Sequence, residues 1–173
     1  MPVGAADHRD VMYLADEMPR RFPVKLMTYP TMWALQPPLT AYDWSRMQYR
    51  ADLVNSWLRG ALFKALEGGL LALGIVSADG YVGGLNFVFG LASQDLGVAT
   101  VYTRRLLADA STELYRLRLL KEAMHEVGHL LGLAHCDNPT CVMSFSNSLG
   151  GVDRKEARFC DRCSLSLRTR FKD

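Results

Sequence analysis

The sequence predicts one α/β domain, and three observations carry that prediction. The chain has 173 residues, 49% of them hydrophobic, enough for one real core and too few for two. Residues 70 to 76, LLALGIV, are almost wholly apolar, as in a strand covered on both faces of a mostly parallel sheet. Strand-like and helix-like stretches alternate along the chain, which fits a sheet layered against helices.

The elements follow in order. Val11, Met12, Leu14, Ala15 and Met18 give residues 9 to 18 the spacing of a short amphipathic helix, ended by Pro19 and Pro23. VKLMTY, residues 24 to 29, reads as a first strand, and Pro30 to Pro38 as a connecting loop. From Asp43 to Glu67, the positions Met47, Val54, Leu58, Ala61 and Ala65, flanked by Leu53, Trp57 and Leu62, recur at helical spacing. Gly68 and Gly69 close this long core-backing helix. Residues 77 to 80 turn the chain after the apolar strand. LNFVFG, residues 85 to 90, sets Leu85, Phe87 and Phe89 against Asn86 and Val88, as a half-exposed edge strand does. Such an edge can pair with an extended peptide, which makes Asn86, Phe87, Val88 and Phe89 candidate substrate-binding residues. Val98 to Tyr102 forms another short strand. A helix from about residue 110 to Leu131 follows, with an apolar stripe of Leu117, Leu120, Met124, Val127 and Leu131.

Twenty basic residues against eighteen acidic ones leave a formal net charge of +2, so nothing calls for a polyanionic partner. Arg154, Lys155, Arg158, Arg162, Arg168 and Arg170 gather near the C-terminus, where a solvated basic face accounts for them better than a nucleic-acid site does. The first residues mix acids with bases and contain no apolar run long enough for a signal peptide or a membrane span. A cytoplasmic, monomeric protein without a membrane or nucleic-acid partner is therefore expected.

All four cysteines, Cys136, Cys141, Cys160 and Cys163, fall in the last quarter of the chain as C-x4-C and C-x2-C pairs. In a reducing cytosol such pairs bring four thiolates around one tetrahedral zinc. Two disulfides, or four ordinary thiols, are the alternatives.

Three of the four histidines lie in KEAMHEVGHLLGLAHCDNPTCVM, residues 121 to 143. His125 and His129 are one helical turn apart on one face, so two imidazoles can reach one ion at the roughly 2.0–2.1 Å that zinc requires. Gly132 follows the last apolar position, where a left-handed residue ends a helix and can bring His135 back as a third ligand. Three neutral imidazoles leave a fourth position for water, with Glu126 beside it as general base for attack on a peptide carbonyl. At this composition the full H-E-x-x-H-x-x-G-x-x-H arises by chance in roughly one such chain per hundred thousand. Histidines satisfied by core hydrogen bonds, or a metal site without chemistry, remain the bland alternatives. A third is a zinc-stapled binding module that recognises a partner without cutting it.

The zinc motif running into Cys136, then Cys141, Met143 and Cys160-Asp-Arg-Cys163, resembles the archaemetzincins. The similarity extends to Arg46, Gln48, Tyr49, Ala51, the LNFVFG stretch, Phe145-Ser146-Asn147-Ser148, Asp153 and Phe159, and is good from about residue 42 onward. The resemblance implies a zincin-like α/β fold with a twisted mixed sheet, an antiparallel edge strand, a backing helix and an active-site helix. It also implies a single domain made of residues 1–132 and a small C-terminal subdomain, 133–173. Two zinc ions follow from it: a catalytic one on His125, His129 and His135, and a structural one on Cys136, Cys141, Cys160 and Cys163. Met143 forms the methionine turn, and the implied activity is that of a zinc metallopeptidase. A chain this small has little room for extended subsites, so short peptides or free amino termini are the expected substrates. Many metzincins carry a tyrosine just beyond the methionine. Here Ser144 and Phe145 follow it, so an oxyanion donor must come from elsewhere.

Overall fold

Two apolar strands form the centre of the computed structural model, which describes residues 1–171. Lys172 and Asp173, the end of the expected C-terminal subdomain, lie outside the described residues. Strands β4 (Ala72–Val76) and β7 (Val98–Tyr102) pair in parallel, from Ala72 opposite Val98 to Val76 opposite Tyr102. Strand β1 (Pro2–Val3) joins β4 in parallel and β6 (Gly90–Ser93) joins β7 antiparallel, giving the order β1-β4-β7-β6. A second sheet, β2-β3-β5, is built from Tyr42–Asp43, Gln48–Arg50 and Gly80–Tyr81.

Successive side chains of a strand point to opposite faces, and both faces of this sheet are covered. Val3, Ala72, Val76, Val98 and Tyr102 pack with Val54 and Leu58 of helix α2 (Ala51–Ala61), while Ile75 and Val101 pack with Leu119, Leu120, Ala123 and Met124 of a later helix. Burial on both sides is why residues 72 to 76 read as a continuous apolar run. Each buried Leu or Ile here is worth about 1.5–3 kcal/mol over its exposed state.

The remaining helices are α1 (His8–Glu17), α3 (Phe63–Glu67), α4 (Thr112–Leu130), α5 (Leu149–Arg154) and α6 (Asp161–Arg170). Helix α4 starts at Ser111, whose hydroxyl accepts from the Leu114 amide at 3.2 Å, a standard N-cap. It ends before Gly132, which takes φ +88° as the sequence demands. Between Arg118 and Leu130 only His129 is not buried, so α4 has no single apolar stripe. The sheet covers one side and residues after 133 cover the other. Leu117, expected in the stripe, is 38% exposed.

Several expectations are corrected. VKLMTY forms no strand: Met27 and Tyr29 are exposed, and the place beside β4 goes to Pro2–Val3, too short to show a period. The helix expected from Asp43 to Glu67 is two short strands followed by α2 and α3, with Met47 exposed at φ +55° in the β2–β3 hairpin. In LNFVFG only Gly90 belongs to a strand, and the antiparallel edge is displaced to Gly90–Ser93. The Asn86 carbonyl accepts from Arg46 Nη2 at 3.1 Å and Gln48 Nε2 at 3.0 Å, so side chains replace a ladder there. Lys155 is not part of a solvated basic face, because it is 2% exposed and paired. Among the described residues no helix is long and apolar enough to cross a membrane.

Candidate active site

Helix α4 presents His125, Glu126 and His129, and the Gly132 turn brings His135 to the same place. The histidine ring nitrogens that could bind one ion lie within 4.8 Å of one another. Two of the rings are held by main chain: His125 Nδ1 meets the Val142 carbonyl at 2.9 Å and His129 Nδ1 the Leu133 carbonyl at 2.7 Å. Carbonyls accept only, so both Nδ1 atoms carry the proton and the Nε2 atoms of the neutral rings are bare.

Those two bare nitrogens face each other 3.1 Å apart. Two lone pairs at that distance repel unless a cation or proton stands between them. Tetrahedral ligands at a zinc–nitrogen distance of 2.0–2.1 Å sit about 3.3 Å apart, so the pair fits that ion. Burial pushes His125 well below its usual 6.5 and lowers His129 and His135 as well, which keeps the rings neutral and available as ligands.

Burial, reinforced by the like charge of Glu122, pushes the Glu126 carboxyl well above its usual 4.5. A divalent cation beside it acts in the opposite direction. The main chain of Ala92 on β6, near that carboxylate, opposes the rise only weakly. Gly90 makes the approach possible, since a Cβ there would meet Glu126 Cγ and Oε1 at 2.5 Å.

His125, Glu126, His129 and His135 open on a cavity of about 620 Å³, with Val82, Asn86 to Ala92 and Gln94 on one wall and Leu133, Phe145, Ser146 and Asn147 on others. The candidate substrate residues Asn86, Phe87, Val88 and Phe89 all line it, although as a loop. Phe87 lies under the Arg105 guanidinium, 4.1 Å from the ring centroid, and Asp79 grips that guanidinium at 2.7–3.0 Å. Phe145 stands edge-on to His135, centroids 5.1 Å apart, with no hydroxyl to offer an oxyanion.

The four cysteine sulfurs form a second cluster, also within 4.8 Å of one another. Cys136 and Cys160 are 3.7 Å apart, against about 3.8 Å for tetrahedral thiolates at zinc–sulfur distances near 2.3 Å. Burial opposes ionisation of Cys136, yet the Asn138 amide and the Arg162 guanidinium bring its thiol down to about 7. The thiols are free and suit zinc.

The two clusters share a segment. His135 precedes Cys136, the Cys136 amide donates to the Met143 carbonyl at 2.9 Å, and Val142, which holds His125, follows Cys141. Met143 is fully buried, with its sulfur against Gly128. Sequence reasoning missed Gly90, the carbonyls of Leu133 and Val142, and the Glu122–Lys155 pair. Only Glu122 left a signal, lying four residues before Glu126 and so on the same helix face.

Comparison with known proteins agrees with this geometry. The sequence model of peptidase family M54 matches residues 27–169. The archaemetzincin of Aeropyrum pernix is 52% identical over 146 residues, which is 82% of this chain and 79% of that one. The crystal structure of the Archaeoglobus fulgidus archaemetzincin, complexed with malonate, aligns at TM-score 0.77 and 37% identity over 96% of each chain. A zinc-dependent peptidase from Methanocorpusculum labreanum aligns at TM-score 0.83 and 28% identity, covering 96% of this chain and 97% of its own. The chain belongs to peptidase family M54, shares the mixed α/β fold of the archaemetzincins, and is a zinc metallopeptidase.

Proposed function

We propose that this chain hydrolyses short peptides admitted to the cavity, with His125, His129 and His135 holding a catalytic zinc and Glu126 as general base. The observation that carries this reading is the pair of bare imidazole nitrogens 3.1 Å apart with a buried carboxylate beside them on the same cavity. Zinc, when bound, supplies the Lewis acidity that activates water and polarises a carbonyl.

Glu126 takes the proton of the attacking water and passes it to the leaving amine, its carboxylate seated against Gly90. The loop Asn86 to Phe89 and strand β6 flank the peptide, whose extended backbone can add to the open edge of β6. A cavity of about 620 Å³ leaves little room for extended subsites, which favours short peptides or chain ends over folded proteins. Cys136, Cys141, Cys160 and Cys163 hold a second, structural zinc, and Met143 underlies the first. This reading has the protein act as a monomer in a reducing compartment, where the thiols stay available to metal.

The test is a peptide library offered to zinc-loaded protein and to Glu126→Ala, with zinc counted on both by mass spectrometry. Hydrolysis lost at unchanged zinc content, near two ions per chain, is the expected result. Hydrolysis that survives Glu126→Ala, or a loaded wild type that cleaves nothing, overturns it.

A further inference from the structure

The cavity wall contains a carboxylate for which the chemistry above has no use. Glu122 lies one turn before Glu126 on α4, is 3% exposed and contributes to the wall. Its Oε1 accepts from Lys155 Nζ at 2.6 Å, and the two side chains are 4% and 1% exposed. Apart from Glu122 and Glu126, no charged residue lines the cavity among the described residues. The rest of its surface is largely apolar, with Val82, Leu85, Phe87, Phe89, Leu91 and Leu133 prominent.

A buried ion pair is a weak source of stability, because desolvation of both charges consumes most of their attraction and apolar side chains of like volume do as well. Nor is this pair needed to dock the segment that carries Lys155. Arg118 already grips Asp153 at 2.7 and 2.8 Å, and Lys121 Nζ donates to the carbonyls of Val152 and Asp153 at 3.2 and 3.1 Å. What the ammonium does alone is cancel the charge of a carboxylate that faces the substrate space.

We propose that Glu122 and Lys155 set the side-chain specificity of the cavity, Glu122 as the contact group and Lys155 as the positioning residue that neutralises it. With the pair intact, a peptide side chain reaching toward the turn before His125 meets an apolar, uncharged pocket. A norleucine or leucine is accepted there, and a lysine is rejected because it would lose its water without gaining a free counter-ion. This deepens the peptidase reading and rests on it for the identity of the ligand.

The experiment uses two fluorescent peptides, identical except for norleucine or lysine at the residues flanking the scissile bond. Their binding is measured by anisotropy on zinc-loaded protein carrying Glu126→Gln, and their cleavage on protein with Glu126 intact. The wild-type pair should favour norleucine by about tenfold or more. Lys155→Met, which leaves Glu122 uncompensated, should move that ratio toward lysine by roughly tenfold, and Lys155→Met with Glu122→Gln should restore it. A ratio unmoved by Lys155→Met in folded, zinc-containing protein overturns the proposal. If Lys155→Met does not fold, Glu122→Gln tests the same idea with the sign reversed. The uncompensated ammonium should then favour a glutamate peptide over its glutamine twin, and an unmoved ratio there overturns the proposal equally. Cleavage with unmoved ratios leaves the peptidase reading standing alone. Shifted binding without any cleavage does the converse, and binding of neither peptide overturns both.

Discussion

Gly90 and Glu126 touch across the cavity: the glycine's missing side chain is the space that the carboxylate occupies, a Cβ there lying 2.5 Å from Glu126 Oε1. An edge strand and the active-site helix thus approach as closely as they do because residue 90 has no side chain.

Gly90→Ala should therefore displace Glu126 and lower kcat by about 10²-fold, the scale on which a misplaced general base is felt. Zinc content, counted by mass spectrometry, should stay at the wild-type value. A variant with wild-type kcat would show that the carboxylate has room to move without cost.

On the two-zinc reading proposed above, Cys141→Ser should loosen both metals. The residue after it, Val142, supplies the carbonyl that holds His125, and the Cys136 amide is tied to Met143. Zinc per chain should fall by more than one equivalent, with a 10–100-fold weaker catalytic site, as for other lost supports of a ligand. Loss of a single equivalent with full activity would separate the two clusters.

Gly128→Ala places a methyl against the sulfur of Met143, which is fully buried and has nowhere to go. Overpacking of about 1–3 kcal/mol outweighs the roughly 1 kcal/mol gained in helix propensity. Thermal unfolding should show a Tm lower by a few degrees, and an unchanged or higher Tm would contradict this packing.

Asp153 governs part of the acid limb. The hydrogen bond from Arg118 holds its carboxyl below the usual 3.8. A depressed native pKa contributes stability that is present above about 3.8 and is lost as pH falls through the lower native value. The Tm gap between wild type and Asp153→Asn should thus be widest near neutrality and close as pH falls below 3.8 through the lower native value. A gap independent of pH would mean that the charge is not what Arg118 recognises.

The clustering of the three histidines was legible because it is local. His125, Glu126, His129 and Gly132 need only a helix and its end, and both are written in spacing and in one glycine. The four cysteines were legible by the same spacing logic. What sequence reasoning missed depends on distant partners. VKLMTY has strand composition, but two residues at the start of the chain hold the ladder beside β4. LNFVFG alternates, yet Arg46 and Gln48 take its Asn86 carbonyl from 40 and 38 residues away. Lys155 looked like one more surface cation, and only the approach of α5 to α4 makes it a partner of Glu122. Periodicity reports what a segment could do, and these cases were decided by which neighbour reached it first.

The rings of His125 and His129 are anchored by the carbonyls of Val142 and Leu133 rather than by any side chain. A carbonyl belongs to every amino acid, so exchanging the side chain at 133 or 142 removes neither acceptor. The orientation of His125 and His129 is inherited from the path of the chain, and mutation reaches it only by bending that path. Leu133 also lines the cavity, so a single position can be re-lettered to suit a new substrate while its main chain goes on holding His129. Drift in specificity and constancy of the reaction are in this way assigned to different atoms of the same residue.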